Sequence, residues 1–208
     1  TYKLIIDQLL PDCVVYKTPF DKNEDLLGFE NGIFDFENKI FRKYKFDDYI
    51  TQRIPHDYKY SESLDNAKDF INKLMPIEEE RETLLMILAS MLTGHNLERF
   101  CCFIGSGSNG KSVLLELLEY LLGKDYKHKI NINSFQTEPK NNGANVDLAL
   151  CNKKRLVWAN EGNRELPLYT SVLKDLTGSD NINARNLYSG DTETINMGTY
   201  ILCSNDLP

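Results

Sequence analysis

The chain has 208 residues, with 24 Lys and Arg against 31 Asp and Glu for a formal charge of −7, and 41% of its side chains are hydrophobic. That is ordinary for one large or two small globular domains with room for a sizeable core. Several classes are disfavoured: the longest apolar run, Leu84–Leu92, falls well short of the roughly 20 residues a spanning helix needs, and no basic leader with a cleavage site is visible.

Five cysteines, Cys13, Cys101, Cys102, Cys151 and Cys203, lack framework spacing and read as reduced thiols of an intracellular protein. The three histidines, His56, His95 and His128, have no zinc-ligand spacing with them. Residues 1–100 hold 13 basic and 19 acidic side chains, whereas residues 101–208 hold 11 and 12. A protein that coats nucleic acid through phosphates shows a basic surplus, so any such contact here must be local or built from several copies. The chain starts without Met and stops at Asp206-Leu207-Pro208 after an apolar run, which reads as an internal fragment of a longer protein.

In chain order, residues 26–48 alternate apolar and polar around the turn signals Asn31-Gly32 and Glu37-Asn38, and short β-hairpins are expected. Ser63 is placed to cap a helix carrying Leu64, Ala67, Phe70, Ile71 and Leu74 at a 3.6 period and ended by Pro76. A second helix is expected with Glu78–Glu80 at its positive end, Leu84–Leu92 as its apolar part and Gly94 as its stop. From Arg99 onward strand and helix signals alternate, the pattern of an α/β domain. The organisation expected is a hairpin-containing region over 1–62, a helical linker or collar over 63–98 and an α/β core over 99–208.

Gly105-Ser106-Gly107-Ser108-Asn109-Gly110-Lys111-Ser112 matches GxxxxGK[ST]. Glycines there let successive N–H groups converge on phosphates, Lys111 reaches the β- and γ-phosphates of ATP, and the Ser112 hydroxyl ligates Mg²⁺. The flanks fit: Phe100–Ile104 reads as a continuous buried strand, and Ser112–Leu122 as a leucine-rich helix closed by Gly123, its positive end aimed at the same anion.

A second strand, Arg155–Ala159, ends in Asn160-Glu161. Glu161 is the expected general base and metal carboxylate, and Asn160 can hydrogen-bond a metal-bound water but supplies neither charge nor a proton acceptor. A guanine-reading loop is not present, since Asn152-Lys153-Lys154-Arg155 lacks the required Asp. The last strand, Thr199–Ser204, delivers Asn205, which either orients a hydrolytic water or opens the following turn. Before it, residues 180–188 and 192–197 read as two strands around Ser189-Gly190-Asp191. Arg185 and Tyr188 there suit a phosphate clamp and a stacking surface, or simply a solvated hairpin.

Together GSGSNGKS, RLVWANE, KDLTGSDNINARNLY and ILCSN resemble superfamily 3 helicases. In particular they resemble the poxvirus-type primase–helicases of large DNA viruses and related phage and plasmid replication proteins. Phe29–Asp35 and Asp48–Pro55 resemble the segment that precedes the helicase in that group. The resemblance implies an AAA+-type P-loop NTPase fold, a parallel sheet with helices on both faces working as a homo-hexamer. It implies ATP with Mg²⁺, partnership with replication proteins, and translocation along single-stranded DNA in the host cytoplasm or nucleus. On it Lys111 and Ser112 become the Walker A residues, Glu161 the Walker B carboxylate, Asn205 the sensor, and Arg185–Thr192 the element that grips DNA. Asn160 departs from the acidic pair usual there, and no arginine finger or lid is recognisable. Two rivals stand beside this reading: a small-molecule kinase, which needs an arginine-rich lid where residues 131–146 are Asn/Gly-rich, and an ATP-binding assembly module that moves no DNA.

Overall fold

The computed structural model describes residues 20–61, 63–107, 109–136, 146–160, 167–178, 182–185, 191–194 and 198–206, with backbone alone for 146, 182–185 and 191–194. The alternating segment forms an antiparallel sheet of β1 (Leu26–Phe29), β2 (Gly32–Asp35) and β3 (Ile40–Arg42) in that order. The first turn is Glu30-Asn31 rather than Asn31-Gly32, because Gly32 already pairs with Phe29. Residues 52–56 run beside β1: the Ile54 N–H donates to the Gly28 carbonyl at 2.8 Å and the Glu30 N–H to the His56 carbonyl at 3.1 Å.

Two helices follow, α1 (Asp65–Leu74) and α2 (Glu78–Thr93). Ser63 does not cap α1. Leu64 holds that position, and the Ser63 hydroxyl, one residue too early, donates instead to the Asp65 carboxylate at 2.9 Å. The chain then alternates through β4 (Phe100–Ile104), α3 (Lys111–Tyr126), β5 (Lys127–Lys129), the short α4 (Asn133–Gln136) and α5 (Val146–Ala149), β6 (Leu156–Asn160), α6 (Thr170–Thr177), the antiparallel pair β7 (Ile182–Arg185) and β8 (Asp191–Thr194), and β9 (Thr199–Ser204). Within α3 the regular helix stops where expected, at Gly123, whose φ of 66° is left-handed. A side chain there would overlap Pro55, 2.4 Å away, so the helix end is packed directly on the segment beside β1.

β4, β9, β6 and β5 form one parallel sheet in that order. Side-chain alternation sends Leu156, Trp158, Ile201 and Cys203 to one face, where they meet Leu84 and Met91 of α2, Leu114, Leu115, Leu118 and Leu122 of α3, and Leu27 and Ile54 of the hairpin layer. Val157, Ala159, Tyr200 and Leu202 face the other way, onto Phe135, Cys151, Val172 and Leu176. The sheet is therefore covered by helices on both faces. β4 differs from its expected burial, with Cys102 and Ile104 exposed, because it is an edge strand of the described sheet and no described helix covers that side of it.

One side chain ties the layers together. Arg155, 2% exposed, donates from Nη1 to the carbonyls of Glu24 (3.0 Å) and Leu92 (2.8 Å) and from Nη2 to that of Leu26 (2.8 Å). Its guanidinium also lies 5.4 Å from the ring centre of Tyr126. The Tyr126 hydroxyl in turn accepts from the Gly28 N–H and donates to the Gln52 carbonyl, both at 3.0 Å, and burial pushes its pKa up to about 12. Arg155→Met is expected to lower the unfolding free energy in urea titrations by about 2 kcal/mol or more, since the buried Leu26 carbonyl loses its donor at roughly 1–3 kcal/mol and the part-buried carbonyls of Glu24 and Leu92 lose theirs as well.

Within the hairpin layer, Arg42 grips Asp48 through two bonds of 2.8 and 2.9 Å and Asp35 through one of 3.3 Å. Arg42 holds the Asp48 carboxyl below its usual range; Asp35 is lowered first by the Asn38 N–H and side chain, then by Arg42. Depressed carboxyls add stability above their unfolded pKa, near 3.9, and lose it as the pH falls through the folded values. In thermal melts the gap between wild type and Arg42→Gln is therefore expected to be full at about pH 6 and to close below about pH 4.

Candidate functional site

Three neighbouring strands, β4, β9 and β6, end level with one another. Ile104 of β4 pairs with Ser204 of β9, and Asn160 of β6 pairs with Cys203 of β9. This is the carboxyl edge, where parallel sheets receive ligands. A cleft of about 170 Å³ opens there, and Lys111, Ser112, Asn160 and Asn205 all line it. Four residues singled out from three separate stretches of sequence are thus brought to one place.

The glycine-rich loop is anchored at both ends. The Gly105 N–H donates to the Ser204 carbonyl at 3.3 Å, fastening the loop's start to the end of β9. Gly110, with φ of 86°, is the cap of α3, and its carbonyl accepts from the Leu114 N–H at 2.9 Å. The Lys111 ammonium donates to the Gly105 carbonyl and, at 3.1 Å, to Asn109 Oδ1, so it lies across the loop's mouth. Asn109 occupies a variable position of the motif, and its contact with Lys111 could not be read from spacing. Cys203 also lines the cleft; burial pushes its thiol up to about 11, against the opposing charge of Lys111, so it stays protonated at neutral pH.

Gly105, Ser106, Gly107 and Gly110 lie on the described part of the loop, whereas Ser108 lies outside the described residues. So do Glu161, the residue after the end of β6, and Tyr188. Arg185 closes β7 opposite Asp191, and the expected pair of strands is present as β7–β8, but the Arg185 side chain is outside the description. No group of His, Cys, Asp and Glu among the described residues could hold a metal by itself, and no described helix is long and apolar enough to cross a membrane. A larger cleft of about 530 Å³ lies in the hairpin layer between Lys22, Asp35, Arg42 and Asp48. Asp25, Asp35, Glu37, Asp47 and Asp48 outnumber Lys22, Arg42 and Lys45 in its lining, which disfavours an anion.

Fold and site together define a mixed α/β protein with a parallel sheet and a glycine-rich strand–loop–helix unit at its carboxyl edge. Residues 103–208 match the model of a family of unknown function (DUF5906), and residues 1–76 match the family described as D5 N terminal like. The first match covers more than half of the chain, which therefore belongs to that family, and its relatives are the helicase and primase D5 homologues of large DNA viruses. A putative helicase of Acanthamoeba polyphaga mimivirus is 37% identical over 201 residues, 90% of this chain and 20% of that protein. A putative helicase of Invertebrate iridescent virus 3 is 27% identical over 90% of this chain and 21% of its own length, and Primase D5 of Fowlpox virus 27% identical over 98% and 27%. The chain thus spans about a fifth to a quarter of these curated relatives. Among solved structures, an apo form of the NrS-1 C-terminal region shares the fold with a TM-score of 0.55 at 16% identity, over 72% of this chain and 34% of that one.

Gly110→Ala tests the loop's geometry. A side chain at that left-handed position also meets Leu74 Cδ1 at 2.7 Å. The variant is expected to lose about 1–2 kcal/mol of stability in denaturant titrations.

Proposed function

We propose that this chain is part of an ATP-driven helicase of DNA replication and contributes its nucleotide site, with single-stranded DNA as the polymer moved. The observation that carries the reading is the meeting of Lys111, Ser112, Asn160 and Asn205 in one cleft at the level ends of β4, β9 and β6. The names and membership of the viral relatives support the class of activity.

In this reading the loop N–H groups between Gly105 and Ser112 cradle the phosphates of ATP, assisted by the positive end of α3. The Lys111 ammonium leaves Asn109 and sits between the β- and γ-phosphates. The Ser112 hydroxyl and the Asn160 amide supply neutral oxygen donors, which suit Mg²⁺ and its bound waters. A Mg²⁺ held by Ser112 and Asn160 would supply positive charge against the charge developing during phosphoryl transfer. Glu161 takes the proton of the attacking water, and Asn205 orients that water at the cleft's outer wall. The hairpin β7–β8, carrying Arg185 and Tyr188, contacts DNA. Residues 1–62, 63–98 and 99–208 serve as a hairpin region, a collar and the ATPase core of a hexamer that works with other replication proteins.

Lys111→Ala should abolish Mg-ATP binding in calorimetry, and unchanged affinity rejects the phosphate site. Glu161→Gln in the full-length protein should retain nucleotide but slow hydrolysis by about 10²-fold or more. Stimulation of that hydrolysis by single-stranded DNA separates a translocating enzyme from an assembly module or a kinase; its absence rejects translocation.

A further inference from the structure

The phosphate loop carries a contact that its motif does not require. Asn109 stands at a variable position of GxxxxGK[ST], and its side-chain oxygen accepts from the Lys111 ammonium at 3.1 Å. The same ammonium donates to the Gly105 carbonyl, so the loop itself takes two of its three donors. The Asn109 amide also reaches back across the loop to Gly105. A side chain on Gly105 would overlap its Nδ2 and come within 3.1 Å of its Cγ. Gly105 is not among the glycines with positive φ, so its backbone would tolerate a side chain, and what leaves no room there is Asn109. Amide, carbonyl and ammonium thus form one closed set across the loop's mouth.

Both ends of the loop are fixed, so adjustment to a ligand falls to the side chains between them. The Gly105 N–H is fastened to the Ser204 carbonyl, and the Gly110 carbonyl to the Leu114 N–H. A side chain on Gly110 would meet Leu74 Cδ1 at 2.7 Å, so this end also packs against the close of α1. Asn109, in contrast, is exposed, and its amide can turn away without disturbing the core. Both acceptors that hold the Lys111 ammonium are neutral. Neutral acceptors bind an ammonium more weakly than a phosphate oxygen does. A phosphate chain can therefore take the ammonium over, but only by giving up what the amide contributes.

We propose that Asn109 is a positioning residue that competes with phosphate for Lys111: its amide holds the ammonium on the loop, and a phosphate chain must displace it to bind. This rests on the reading of the cleft as a nucleotide site. Apparent affinity is reduced to the fraction of molecules in which Lys111 is released, so removing the amide should raise it. A residue that contacted phosphate would give the opposite sign. In calorimetric titrations of the full-length protein with Mg-ATP, Asn109→Ala should bind about three- to tenfold more tightly than wild type, the span of one hydrogen bond in a partly exposed place. Asn109→Ser, too short to reach Lys111, should repeat the gain. Mg-tripolyphosphate, which has no base, should show it too, since Asn109 acts on the phosphate chain. Asn109→Asp, whose carboxylate holds Lys111 by charge and repels phosphate, should bind about tenfold more weakly. If neither wild type nor Asn109→Ala binds Mg-ATP, the nucleotide reading falls and the competition with it. If wild type binds and Lys111→Ala does not, the nucleotide reading stands. In that case, affinities in Asn109→Ala and Asn109→Ser at or below wild type overturn the competition alone, and lower ones make the amide a phosphate donor.

Discussion

A single buried guanidinium holds this molecule's layers in register. Arg155 stands at the entrance to β6, and its donors reach carbonyls at Glu24 and Leu26, beside and within β1, and at Leu92 near the end of α2. Desolvation pulls its pKa below the ordinary arginine range, so its cost is real and is offset by the three carbonyls and the Tyr126 ring. No hydrophobic side chain could satisfy three carbonyls from two separate segments in one place. The hairpin layer is consequently a wall of the same core that supports the sheet, with Leu27 and Ile54 packed among the leucines of α3.

From that fixed point the site follows geometrically. β6 (Leu156–Asn160) starts directly after Arg155, so the strand whose start is clamped under the hairpin layer delivers its other end to the cleft. β9 lies between β6 and β4, and it is buried throughout. Its Thr199 hydroxyl meets that of Ser90 on α2 at 2.7 Å, and its Ser204 carbonyl receives the first N–H of the glycine loop. The loop therefore hangs from a strand that cannot shift without disturbing both faces of the core. The start of the loop's backbone is thus fixed by the sheet itself.

Much of this was legible in the residues. The loop motif, the strands that flank it and the periodic helices are local signals, and each formed where its pattern placed it. What escaped depends on neighbours distant in sequence. Phe100–Ile104 is apolar throughout, yet Cys102 and Ile104 are exposed, because burial of a strand is decided by its position in the sheet and not by its composition. Ser63 has the right chemistry for a cap and misses by one residue, since the helix begins only at Asp65. Arg155 and Tyr126 carried no signal at all: an arginine opening an apolar strand and a tyrosine after a helix are common, and their partners lie 29 to 131 residues away for every contact that matters. The aromatic residues at 41–46 and 58–60 were visible as text, but only the fold shows that Tyr58 packs among the rings of Phe29, Phe34 and Phe41.

The stop of α3 at Gly123 has a mechanical meaning. The helix begins in the cleft at Lys111 and runs unbroken until its left-handed glycine seats on Pro55, two residues beyond Arg53. At 1.5 Å per residue that is a strut of roughly 18 Å, with Leu114, Leu115, Leu118 and Leu122 buried on one side and Val113, Leu117 and Tyr120 exposed on the other. Its two ends meet the phosphate loop and the segment beside β1. One rigid element therefore spans from the cleft to the hairpin layer and sets the distance between them.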